Sequence, residues 1–125
     1  MKTIAIVDDE REILNLLEKF LSKTGKYKVQ TYSDPVNALQ MVSSPTSKVD
    51  VVLLDIMMPQ MDGLEFLEKY TAAKPDAHVI MMTAHSTLDR VLKSHKHGAR
   101  QYITKPFGSL QEIDNKIESV LTKNG

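Results

Sequence analysis

The chain has 125 residues, no cysteine, and sixteen basic residues against sixteen acidic ones. That length suits one domain. The missing cysteines exclude disulfides and thiolate-bound zinc, and a formal charge of zero excludes a general attraction to nucleic acid. The apolar run at the N-terminus is cut short by acids at Asp8, Asp9 and Glu10, so it is neither a signal peptide nor a membrane span. A cytoplasmic protein that engages no membrane is expected.

Lys2 to Val7 is a short apolar run and reads as a buried strand. Glu10 to Ser22 follows a helical pattern, with Ile13, Leu17, Phe20 and Leu21 on one face and Leu14 and Leu16 widening it. Gly25 ends that helix. Tyr27 to Tyr32 reads as a second strand. Asp34-Pro35 is a helix start, with Asp as cap and Pro in the first turn, and Val36 to Val42 follows as a short helix. Ser43 to Lys48 is a loop. Val49 to Leu54 is a strand closed by Asp55; its Val51–Leu54 run is apolar without alternation, as in a parallel strand covered on both faces. After a loop over Pro59–Gly63, a helix runs to about Lys74 with Leu64 and Leu67 on one face. Val79 to Met82 is another apolar strand, ended by Thr83. Ser86 to His97 is predicted as a helix capped by Gly98. Gln101 to Thr104 is a short strand stopped at Lys105-Pro106. Leu110, Ile113, Ile117, Val120 and Leu121 mark the last helix.

The order is a β-α unit repeated five times, without internal repeats or a low-complexity linker. Such alternation builds a doubly wound α/β fold: a parallel sheet with helices on both faces and right-handed crossovers. Ligands in these sheets bind beyond the carboxyl ends of the strands. Asp8 and Asp9 follow strand one, Asp55 closes strand three, Thr83 closes strand four, and Lys105 follows strand five. Three carboxylates, a hydroxyl and an ammonium therefore converge. Crowded carboxylates repel unless a cation intervenes, and a hard divalent ion takes one or two carboxylates plus phosphate oxygens and water. A carboxylate can also serve as nucleophile toward a phosphoryl group. Asp55 is the nucleophile candidate, Asp8 and Asp9 the metal candidates, and Lys105 and Thr83 the groups that balance charge on phosphoryl oxygens. Taken singly, each Asp could be only a turn residue, and Asp9 could cap the first helix.

Four ordered segments, IAIVDDE (4–10), VVLLDIMMPQMDG (51–63), VIMMTAH (79–85) and YITKPF (102–107), resemble the receiver domain of a bacterial two-component response regulator. The resemblance covers essentially the whole chain. It is closest to the chemotaxis-regulator-like, stand-alone type: one domain over residues 1–125 with no output domain. It implies a flavodoxin-like (βα)5 three-layer sandwich with strand order 2-1-3-4-5. It also implies that Asp55 accepts a phosphoryl group from a sensor histidine kinase or a histidine phosphotransfer domain, with Mg²⁺ required and Mn²⁺ able to substitute. Asp9 would bind the metal directly, Asp8 through ordered water, and Asp55 and the Met57 backbone carbonyl would complete the protein ligands. Lys105 would meet the phosphoryl oxygens, aimed by a cis bond before Pro106. Thr83 and Tyr102 would be switch residues, altering the face made by the fourth helix, fifth strand and fifth helix, where a downstream protein binds; Tyr102 reads equally as a half-buried strand aromatic. The resemblance also implies that Met57 and His85 occupy positions that would tune hydrolysis. The domain would contribute to its own phosphotransfer and slow autodephosphorylation rather than turn over as an ordinary enzyme, as a monomer or a weak phosphorylation-dependent dimer.

Rival readings keep distinct signatures. A haloacid-dehalogenase-type phosphatase or phosphotransferase resembles DxD, and Met57 stands where its second acid belongs. A flavodoxin-like electron carrier wants a hydroxyl- and glycine-rich phosphate loop after strand one, where this chain has DDERE. The receiver half of a DNA-binding regulator stays open. His78, His85, His95 and His97 match no zinc spacing. Arg90, Lys93, Lys96, Arg100 and Lys105 read as a solvated helix face or a docking surface for an acidic partner.

Overall fold

The computed structural model describes residues 1–84, 101–105 and 107–123. The predicted helix over 86–97, the Gly98 cap, the Pro106 peptide bond, the hydrolysis position of His85, the histidines at 95 and 97, and the basic residues at 90, 93, 96 and 100 lie outside the described residues. The described elements are β1 (Lys2–Val7), α1 (Arg11–Lys23), β2 (Tyr27–Tyr32), α2 (Pro35–Ser43), β3 (Val51–Asp55), α3 (Gly63–Ala73), β4 (His78–Ala84), β5 (Gln101–Lys105) and a C-terminal helix (Leu110–Lys123). The five strands form one parallel sheet in the order β2-β1-β3-β4-β5. This is the doubly wound, flavodoxin-like sandwich expected from the sequence.

Each strand sends alternate side chains to opposite layers. Ile4, Ile6, Val51, Leu53, Ile80, Met82 and Ile103 face α1 and the C-terminal helix, packing on Leu14, Leu17, Leu21, Ile113, Ile117 and Val120. Ala5, Val7, Val52, Leu54, Val79 and Met81 face α2 and α3, packing on Ala38, Val42, Phe66, Leu67 and Tyr70. With both faces covered, β3 is buried along its whole length, which explains its unbroken apolar run.

Local signals act where expected. The Asp34 side chain accepts a hydrogen bond from Val36 N (2.9 Å), and Pro35 occupies the first turn. Gly25 takes φ 73° just after α1, a conformation that costs glycine little. Two expected helix faces need correction. Leu16 is 43% exposed, because the stripe that meets the sheet is Leu14, Leu17 and Leu21. On α3 the packing is carried by Phe66, Leu67 and Tyr70, while Leu64 is only partly buried. Two strand ends also shift. Thr83 lies inside β4 rather than ending it, and Lys105 is the last residue of β5 rather than the first beyond it.

Candidate metal and phosphoacceptor site

Register brings the acids together. Val7 pairs with Leu54 across β1 and β3, so the next residues, Asp8 and Asp55, emerge side by side at the carboxyl edge of the sheet. Both are buried; Asp9 is exposed at the crevice mouth. One carboxylate oxygen from each of Asp8, Asp9 and Asp55 lies within 4.8 Å of the others.

Their hydrogen bonds differ, and the difference separates their chemistry. Asp8 Oδ1 accepts from Glu10 N (2.9 Å), and Asp8 Oδ2 accepts from Lys105 Nζ (2.6 Å). Asp55 Oδ1 accepts from Met57 N (3.2 Å), and its Oδ2 lies 3.4 Å from Lys105 Nζ. Asp9 has no hydrogen bond or ion pair among the described residues, so it is the carboxylate open to an incoming cation. Nor does Asp9 cap α1: the cap position is Glu10, without a side-chain cap bond. A set of three carboxylates suits a hard divalent cation. Asp9 and Asp55 would hold it, with Asp8 already engaged at both oxygens.

Lys105 crosses from β5 to the far side of this cluster. Its side chain is only 15% exposed, and it contacts Asp8, Asp55 and also Glu10, whose Oε1 lies 3.4 Å away. Burial opposes its charge, but the hydrogen bond to Asp8 and the fields of Asp55, Asp8 and Glu10 outweigh it and hold its pKa above the usual value. Burial, then the charge of Asp8, pushes the Asp55 carboxyl up to about 7, against the pull of Lys105 and the Met57 N–H. A buried carboxylate of this kind needs further positive charge to stay ionised.

Thr83 is buried one residue beyond Met82, the β4 partner of Asp55 in register. The Met57 side chain points out, 55% exposed, while its N–H binds Asp55. Tyr102 is half-buried on β5, packed against the layer formed with α2 and α3.

Asp55, Asp8 and Lys105 thus converge as their positions in the chain suggest. The family model for the response regulator receiver domain matches residues 4–118. The chain is a response regulator receiver domain. It is 36% identical over 124 residues to the alkaline phosphatase synthesis transcriptional regulatory protein PhoP of Bacillus subtilis, covering 98% of this chain and 50% of that protein. The two-component response regulator ARR18 of Arabidopsis thaliana is 38% identical over 124 residues, covering 99% of this chain and 19% of that protein. The chain therefore spans half or less of these relatives. Among solved structures, a CheY-like receiver domain protein from Methanospirillum hungatei matches with a TM-score of 0.90 at 30% identity, covering 98% of this chain and 95% of that one. A receiver domain from Clostridium thermocellum matches at 0.89 and 29%, covering 99% and 97%. The cluster of Asp8, Asp9 and Asp55 is consistent with the phosphotransfer chemistry of a receiver and is capable of coordinating a divalent metal, and family membership implies a phosphodonor of the histidine-kinase type.

Two receiver residues escaped the sequence reading. Glu10 reaches Lys105, for which the third acid of DDE was the available signal. Gly63 packs so tightly under the site that a Cβ there would lie 2.7 Å from Ile56 Cα and 3.0 Å from Ile56 O. Its position just after Asp62, the cap of α3, was the signal. Among the described residues, no helix is long and apolar enough to cross a membrane.

Proposed function

We propose that this receiver is a phosphorylation-driven switch in which Asp55 is the acceptor. The single observation that carries the reading is the buried Asp55 carboxylate at the end of β3, flanked by the open Asp9 and by Lys105 at 3.4 Å. An Asp55 oxygen bonds to phosphorus as the P–N bond of a phosphohistidine breaks, and the departing imidazole takes up a proton. The donor is a sensor histidine kinase or a histidine phosphotransfer domain. Asp9, Asp55 and the Met57 carbonyl would hold Mg²⁺, or Mn²⁺ in its place, with Asp8 acting through water. When bound, the cation offsets negative charge on the phosphoryl oxygens. Lys105 and Thr83 take up the remaining charge. Thr83 moves toward the phosphoryl group, and the change is relayed through Tyr102 to a face that includes β5 and the C-terminal helix, where a downstream protein binds. Such a receiver works in the cytoplasm beside its kinase, as a monomer or a weak phosphorylation-dependent dimer, without contacting nucleic acid itself. A second reading, the receiver half of a DNA-binding regulator, is supported by the Bacillus subtilis relative, a transcriptional regulatory protein of which this chain spans 50%.

Acetyl phosphate with Mg²⁺ tests the acceptor. Intact mass is expected to rise by one phosphoryl group in the native protein and not in Asp55→Asn; equal labelling of both overturns the assignment.

A further inference from the structure

Lys105 has three N–H donors and meets three carboxylates: Asp8 at 2.6 Å, Asp55 at 3.4 Å and Glu10 at 3.4 Å. Two of those belong to the acidic cluster. Glu10 does not: it starts α1, its side chain is 60% exposed, and its carboxylate has no other partner among the described residues. The backbone N–H of the same residue binds Asp8 Oδ1. Glu10 therefore grips both sides of the Asp8–Lys105 pair, one with its backbone and one with its carboxylate.

We propose that Glu10 is a positioning residue for phosphoryl transfer, the resting counter-ion that holds the Lys105 ammonium against Asp8 and away from incoming phosphoryl oxygens. This rests on the reading above, in which Lys105 serves those oxygens. Its consequences run in opposite directions for the two kinds of ligand. The Glu10 charge adds to the field that draws a divalent cation to Asp9 and Asp55. The same charge repels an anionic phosphodonor, and the same contact withholds Lys105 from it. Glu10 thus tunes the site toward cation loading first and phosphoryl acceptance second. A residue that merely supported the loop would shift both affinities the same way when lost.

The test uses two variants. In Glu10→Gln, the dissociation constant for Mg²⁺, measured by calorimetry without phosphodonor, is expected to rise about threefold, the scale of one exposed charge pair. The acetyl phosphate concentration giving half-maximal labelling at saturating Mg²⁺ is expected to fall about threefold. In Glu10→Asp, which keeps the charge but shortens the reach, Mg²⁺ affinity stays native while half-maximal acetyl phosphate still falls. The Lys105 side-chain ¹⁵N resonance of the metal-free protein should move in both variants. Constants that both stay put or both worsen in Glu10→Gln overturn the proposal, as does native behaviour of Glu10→Asp toward acetyl phosphate. Failure of the acceptor reading looks different, because Asp55→Asn would then still take up label.

Discussion

Asp114 is a buried carboxylate remote in sequence from the phosphoacceptor cluster, and replacing it gives a quantitative test of how the C-terminal helix is held. Its Oδ1 accepts from the Tyr27 hydroxyl (2.7 Å) and from Lys26 Nζ (3.0 Å), and its Oδ2 accepts from Lys26 Nζ (2.8 Å). Asp114 is 4% exposed and Tyr27 5%. In Asp114→Ala the Tyr27 hydroxyl is left buried without an acceptor, a loss of about 1–3 kcal/mol. Lys26 is 41% exposed, so water takes over its charge and it adds little. Alanine recovers about 0.5 kcal/mol of helix propensity. The expected net destabilisation is about 0.5–2.5 kcal/mol, read as a lower urea midpoint at unchanged m-value. Tyr27→Phe in the Asp114→Ala background removes the orphaned hydroxyl, so the double variant should be less destabilised than the two single losses added together. Strict additivity, or an Asp114→Ala midpoint equal to the native one, refutes the reasoning. The pH dependence has a definite sign. Burial works against the Asp114 charge, but the hydrogen bonds from Lys26 and Tyr27 outweigh it and hold the pKa below 3.8. The contribution is therefore fully present above the unfolded value and is lost as pH falls through the folded one. The gap between native protein and Asp114→Asn should close in acid.

Three further outcomes follow from the site. Asp9→Asn should weaken Mg²⁺ binding about tenfold or more by calorimetry, and Asp8→Asn less, because only Asp9 has both oxygens open; equal losses would contradict the division of roles. Burial raises the Asp55 pKa from 3.8 to about 7, so the metal-free fold loses stability as pH rises across that interval. Asp55→Asn should accordingly be more stable than native protein at pH 8, by about 1–3 kcal/mol, with the gap shrinking toward acid and on adding Mg²⁺; a gap that ignores pH would count against a buried, strained carboxylate. Gly63→Ala should cost about 2–3 kcal/mol by overpacking and should slow acetyl phosphate labelling, since its Cβ would press on Ile56, the residue after the acceptor.

Much of this molecule could be read from the chain because strands and helices are local. β1 and β2 run as expected, Lys2–Val7 and Tyr27–Tyr32: the first is an apolar run ended by acids, the second a weakly alternating stretch that follows Gly25. Asp34-Pro35 opens α2 through contacts within two residues. The positions of Asp8, Asp55 and Lys105 at strand ends also follow from element order, and a parallel sheet collects those ends on one edge. Tertiary structure decided what the acids do there. Asp8, Asp9 and Asp55 are chemically alike in sequence; only the register of β1 on β3 and the reach of Lys105 make Asp8 engaged, Asp55 buried and Asp9 open. Helical periodicity placed Leu16 among the apolar residues of α1, but the helix turns the Leu14, Leu17 and Leu21 stripe to the sheet and leaves Leu16 outside. Asp114 sits between apolar helix positions, and nothing within a few residues marks it as buried, because its partners Lys26 and Tyr27 meet it only when the C-terminal helix lies beside β2. Backbone pattern is a property of short stretches. The charge state and partner of a side chain depend on distances that only the folded chain creates.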